Sequence, residues 1–172
     1  MTTMHEQRAT LPRLSADRLA EQSVEELETL YRGGVLPAID ELDGAPPGRM
    51  LTLAGPLGRA GLRGAVANLA RHPAFPWAGK TFHSSSATIG GGINRVRLLG
   101  DRYPFDTRVE PSAIDGKPCV LLDYRRPDNP FFIRPIRDEL RKVGQGLYLG
   151  PAMLDLQRGT PRLVLWFAID KT

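Results

Sequence analysis

Short apolar runs recur along the C-terminal two-thirds of the chain at intervals of about a dozen residues, and glycine, proline or aspartate separates them. This spacing is typical of strands in an antiparallel sandwich or barrel. The runs that we predict as strands are residues 50–54, 80–85, 93–99, 103–109, 119–125, 147–156 and 162–170. The pattern predicts a mainly β (α+β) fold, a curved antiparallel sheet or barrel of about seven strands.

The last of these runs is apolar on both faces. Leu165 and Phe167 alternate with Trp166 and Ala168, and successive side chains of a strand point to opposite faces. Such a strand is covered on both sides, by a core on one and by helices or an enclosed apolar cavity on the other. We therefore expect a small barrel with an internal cavity and helices over one end.

Three segments have helical patterns. Ser23 and Glu26 form a capping box ahead of an apolar face that ends at Gly33, which predicts an N-terminal helix. A glycine-rich amphipathic pattern over residues 57–71 predicts another helix that carries arginines. Pro135 suits a first helical position, and apolar residues at helical spacing follow it. This last pattern predicts one short helix between late strands.

Length and composition fit one globular domain. At 172 residues, with 41% apolar and 24% charged side chains, we expect residues 1–14 to be flexible and residues 15–172 to form a single barrel domain with a helical N-terminal segment. Cys119 is the only cysteine, which excludes an internal disulfide. We see no signal peptide and no membrane-spanning run, so a cytoplasmic location is expected.

The formal net charge of +4 does not come from a basic cluster. Lysine and arginine are spread along the chain and mixed with acidic residues. We therefore expect no nucleic-acid partner. The sequence leaves a homodimer open.

Several short motifs resemble a family of small uncharacterised bacterial proteins. They are PWAGK at 76–80, GINR at 92–95, LDY at 122–124, DELR at 138–141 and GLYLG at 146–150. The resemblance covers most of residues 28–170. It implies a shape similar to the lipocalin and fatty-acid-binding (calycin) β-barrels, which hold apolar small molecules inside. It implies no particular activity.

The leading functional hypothesis is the binding of a lipophilic small molecule in an apolar barrel interior, lined around Val96, Leu121, Met153 and Trp166. No cofactor is expected, and no metal, because His5, His72 and His83 are scattered and Cys119 has no partner at ligand spacing. The residues that we predict to orient the ligand are Asn94, Arg95, Tyr124, Tyr148 and Trp166.

The alternative is a cofactor-free isomerase or cyclase that acts on an apolar carbonyl substrate. Asp123 and Tyr124 end an apolar strand, and a carboxylate that enters an apolar cavity acquires a raised pKa suited to acid–base work. Asp123 would be the base, and Tyr124 or Arg95 would stabilise developing charge. Only one of two neighbours on a strand can face inward.

A third hypothesis is an interaction module that docks through the helix over 57–71.

Overall fold

A computed structural model describes residues 14–54 and 77–172. The described helices are α1 (Ala16–Ala20) and α2 (Val24–Gly33), and a 3-10 turn spans Ile39–Leu42. The strands are β1 (Gly48–Leu53), β2 (Trp77–Ser84), β3 (Ile89–Val96), β4 (Gly100–Pro111), β5 (Pro118–Asp123), β6 (Ile136–Gly144), β7 (Leu147–Leu154) and β8 (Arg162–Asp170). The predicted helix over 57–71 and the first thirteen residues lie outside the described residues.

The strands form one antiparallel sheet in the order β1-β8-β7-β6-β5-β4-β3-β2. The sheet curls until its two edges approach each other. Just before β1, Gly44 bridges to Phe82 and Pro47 bridges to Gly79, and both of these partners lie on β2. At Gly48 an added Cβ would lie 2.4 Å from the Trp77 ring, so only glycine permits this approach. The predicted fold class is confirmed, with eight strands rather than about seven.

The segment predicted as a helix between late strands is β6, so that prediction is wrong. Val120 of β5 pairs with Leu140, and Leu154 of β7 pairs with Ile136. Ile136 and Leu140 lie on the inner face with Asp138 between them, whereas Glu139 faces outward. The apolar residues of this segment stand at helical spacing because buried charged residues occupy the remaining positions on both faces of the strand. The segment therefore lacks the alternation of apolar and polar residues that indicates a strand.

The N-terminal helices cover the outer face of the sheet at β1, β6, β7 and β8. The capping box of α2 is present, since Ser23 N–H donates to Glu26 Oε2 at 2.7 Å and Glu26 N–H donates to Ser23 Oγ at 3.1 Å. Tyr31 of α2 packs on Trp166 of β8 with ring centroids 5.5 Å apart. Leu165, Phe167 and Ile169 of β8 face the inner core. The prediction that β8 is covered on both faces is confirmed.

Buried polar contacts hold α2 against β6. The Glu139 carboxylate accepts hydrogen bonds from Tyr31 OH at 2.8 Å and from Ser112 Oγ at 2.5 Å. Arg141 donates to both carboxylate oxygens of Asp115, at 2.8 and 2.7 Å, and this interaction lowers the pKa of Asp115 to about 2. Because these charges have partners on the outer face, the cluster is structural.

Both described α-helices are short. Neither has the run of apolar residues that a bilayer crossing requires, and no other described part of the chain contains such a helix.

Candidate ligand-binding site

A cavity of about 350 Å³ opens inside the curled sheet, at the end where β3 turns into β4 and β5 leads towards β6. The strands that line it come from opposite sides of the sheet. Most of the side chains are apolar or aromatic. The lining residues are Met50, Trp77, Lys80, Asn94, Val96, Tyr103, Tyr124, Ile133, Ile136, Asp138, Ala152, Leu165 and Phe167.

A lysine lies in the wall of this apolar cavity. The side chain of Lys80 is only 3% exposed, and its ammonium has three protons to donate. Nζ lies 2.8 Å from Asn94 Oδ1, 2.6 Å from Tyr124 OH and 2.9 Å from Asp138 Oδ2. Each ammonium proton therefore has an acceptor, and Asp138 is the counter-ion.

Aromatic rings complete the surroundings of the ammonium. The ring centroids of Trp77, Phe105, Tyr124 and Phe167 lie 5.2–5.4 Å from Lys80 Nζ. A desolvated cation within about 6 Å of an aromatic face is attracted by the ring quadrupole. The faces of Trp77, Phe105 and Phe167 thus stabilise the cation, whereas Tyr124 contacts it through its hydroxyl, and together the rings exclude water from it.

The groups around Lys80 are also bonded to one another. Trp77 Nε1–H donates to Asn94 Oδ1 at 3.1 Å, and Asn94 Nδ2 donates to Tyr124 OH at 3.0 Å. Tyr124 OH in turn donates to Asp138 Oδ2 at 3.0 Å. The second carboxylate oxygen, Asp138 Oδ1, is buried and has no hydrogen-bond partner. The cluster therefore holds one free acceptor beside the cavity.

Burial changes the acidity of two of these groups in opposite directions. Desolvation lowers the pKa of Lys80, and the nearby Asp138 carboxylate opposes that shift. Desolvation raises the pKa of Tyr124 well above its ordinary value, and Asp138 adds to that effect. At neutral pH the phenol is protonated, and a Lys80–Asp138 ion pair carries no net charge.

The predicted ligand-orienting residues are distributed between the cavity and other parts of the fold. Asn94 and Tyr124 line the cavity. Arg95 donates through Nη2 to the Pro46 carbonyl at 2.7 Å. Tyr148 belongs to the inner core, and its hydroxyl donates to the Glu41 carbonyl at 3.4 Å. Trp166 faces outward to the helices.

Of the neighbouring pair at the end of β5, the tyrosine faces the cavity. Asp123 lies outside it, where its carboxylate accepts hydrogen bonds from Arg108 Nη1 and the Arg125 backbone N–H, both at 3.0 Å. The carboxylate in the cavity wall is Asp138. The predicted base of the enzyme hypothesis is therefore not beside Tyr124 in the cavity.

Lys80 and Asp138 were not predicted as site residues from the sequence. A signal was present, because each charged residue stands two positions from an apolar inner-face residue, Phe82 on β2 and Ile136 on β6. Period-two alternation places such a charge on the inner face.

A metal site is not apparent in the described structure. Within residues 14–54 and 77–172, histidine, cysteine, aspartate and glutamate do not gather in a group of three or more that could hold an ion.

The chain was compared with known families, curated proteins and solved structures. No family model and no curated protein matches the chain. A solved structure titled "Crystal structure of protein from Thermomonospora curvata" has 16% sequence identity and a TM-score of 0.47, and the match covers 91% of this chain and 97% of that chain.

Proposed function

We propose that the cavity binds a neutral lipophilic small molecule. The observation that carries the proposal is an apolar cavity with a polar cluster in its wall. The cluster consists of Lys80, Asn94, Tyr124 and Asp138, and the Lys80–Asp138 ion pair balances its charge. A volume of about 350 Å³ is at the lower end of the range for small-molecule sites. Largely apolar lining with a few convergent polar groups is typical of such sites.

The charge balance of the cluster favours an uncharged head group. A ligand carboxylate near Lys80 would also lie near Asp138, whereas a ligand ammonium near Asp138 would lie near Lys80. Either charge would be buried without a partner of its own, which is costly in an apolar site. A neutral hydroxyl can donate a hydrogen bond to the free Asp138 Oδ1 and avoids that penalty.

The cavity lies at one end of the curled sheet, and this end also exposes apolar side chains. Leu98 and Leu99 lie in the β3–β4 turn beside Val96, and Phe131 and Phe132 precede Ile133 in the β5–β6 connection. Val96 and Ile133 are cavity-lining residues. This apolar rim, residues 98–99 and 131–132, supports entry of a lipophile at this end.

Filling the cavity is expected to weaken binding strongly. Ala152 lines the cavity, so the Ala152→Phe ring should occupy ligand space and lower the affinity for 1-decanol about tenfold or more in calorimetric titration. Ala87→Phe is the matched control, because Ala87 is exposed in the β2–β3 turn at the other end. Equal affinity of wild type and Ala152→Phe, or no binding of 1-decanol to wild type, would overturn the proposal.

A further inference from the structure

Lys80 differs from the other lysines of the chain in its surroundings. Lys117 and Lys171 are exposed, and Lys142 is half-buried. Lys80 alone is buried, and its amine lies in the wall of an apolar cavity. A lysine amine desolvated in such a site is the usual nucleophile towards carbonyl compounds.

We propose that Lys80 captures a lipophilic aldehyde as a protonated Schiff base, with Asp138 as its counter-ion and Tyr124 as the proton donor to the carbonyl oxygen. This inference rests on the proposed function, because it specifies the head group of the ligand that the cavity holds. An aldehyde is neutral before it reacts, as the charge balance of the site requires.

The reaction needs no oxidant, reductant or cofactor. A proton passes from the Lys80 ammonium to Asp138, and the free amine attacks the carbonyl carbon. A C–N bond forms as the carbonyl π bond breaks, Tyr124 protonates the oxygen, and the proton released by the new N–H2+ group returns to Tyr124 to give a neutral carbinolamine. Asp138 then gives its proton to the carbinolamine hydroxyl, the C–O bond breaks, and water leaves. Overall, one aldehyde and one ammonium give one iminium and one water, with the positive charge kept on Nζ.

The contacts around Nζ suit each part of this sequence. Asp138 Oδ2 lies 2.9 Å from Nζ, so it can receive the proton and afterwards pair with the iminium. Tyr124 OH is 2.6 Å from Nζ and protonated, so it can donate to an oxygen that develops beside the amine. Burial lowers the pKa of Lys80, which makes the free amine easier to form.

The product preserves the electrostatics of the resting site. An iminium carries the same charge as the ammonium that it replaces, and it stays between the Asp138 carboxylate and the four aromatic rings that surround Nζ. Four rings within 5.4 Å of Nζ also crowd the carbonyl carbon, which favours an aldehyde over a ketone.

Reductive trapping tests the inference on the wild-type protein. After incubation with decanal and sodium cyanoborohydride, peptide mapping by mass spectrometry is expected to find a decyl group on Lys80, and excess 1-decanol should protect that residue. Glyceraldehyde, which is polar, should label the exposed Lys117 and Lys171 and spare Lys80. Labelling of Lys80 that 1-decanol does not reduce would overturn the inference, because the reaction would then not occur in the cavity.

Single substitutions around Lys80 distinguish Schiff-base formation from noncovalent binding of a lipophile. Asp138→Asn and Tyr124→Phe should each slow the trapping of decanal at Lys80 about tenfold or more, whereas Lys117→Arg should leave it unchanged. If wild type binds 1-decanol but decanal leaves Lys80 unmodified, the Schiff base is wrong and the proposed function stands. If 1-decanol also fails to bind, the proposed function fails.

Discussion

Replacing Lys80 by methionine is expected to lower the free energy of unfolding by about 3–5 kcal/mol, because removal of one partner leaves the other charge buried and uncompensated. Lys80 and Asp138 are 3% and 6% exposed, and their charged atoms lie 2.9 Å apart. Asp138→Leu should be similarly costly, since it leaves the Lys80 ammonium without its counter-ion. Urea unfolding followed by circular dichroism measures both changes.

The double variant Lys80→Met/Asp138→Leu should recover most of that loss. With both charges replaced by apolar groups of similar volume, no buried charge remains, and such replacements are often neutral or stabilising. Asn94 Nδ2 and Tyr124 OH keep their mutual hydrogen bond. Strong non-additivity in this double-mutant cycle is the expected result. Additive losses would show that the two charges are not coupled.

An exposed ion pair provides the control. Arg32 and Glu28 on α2 are 44% and 36% exposed and lie four residues apart. Exposed pairs of this kind contribute less than about 1 kcal/mol. Replacing Arg32 or Glu28 by alanine should therefore change the free energy of unfolding far less than either replacement in the cavity.

Asp138→Asn is expected to reverse the preference for the ligand head group. In the wild type, the paired Lys80 and Asp138 should favour 1-decanol over decanoate about tenfold or more. The variant retains the cation of Lys80 and loses its counter-ion, so a ligand carboxylate can take that place. Decanoate should then bind more tightly than 1-decanol. It should also stabilise the variant, because a ligand that binds only the folded state raises its stability.

Asp123→Asn is the matched control for that reversal. Asp123 is also a carboxylate on a strand, but it pairs with Arg108 outside the cavity. Calorimetric titration at a pH where decanoate is ionised should give the wild-type preference for Asp123→Asn. An unchanged preference in Asp138→Asn would contradict the assignment of Asp138 as the cavity counter-ion.

The parts of the fold that the sequence predicted are those with local signals. The capping box at Ser23 and Glu26 involves residues three apart, and the two apolar faces of β8 are visible in alternating positions. The early part of β3 gave no such signal, because Gly90, Gly91 and Gly92 suggest a loop. An added Cβ on Gly92 would lie 2.5 Å from the Phe105 ring, so close packing explains the glycine there.

Long-range pairing explains why β6 and half of the polar cluster were missed. Charged residues of β6 have partners far away in sequence, such as Tyr31 for Glu139 and Lys80 for Asp138. Such partners cannot be identified from local periodicity, so the charges suggested the solvent face of a helix. Asn94 and Tyr124 could be predicted as cavity residues because they lie in or beside apolar strands.

The most direct test of cavity binding is native mass spectrometry of the freshly purified protein, followed by organic extraction of whatever it carries. We expect one neutral lipophile per wild-type molecule and none on Ala152→Phe, with Ala87→Phe loaded like the wild type. A fatty-acid-like carboxylate or an amine bound with the same dependence on Ala152 would contradict a neutral ligand. Equal loading of all three proteins would contradict binding in this cavity.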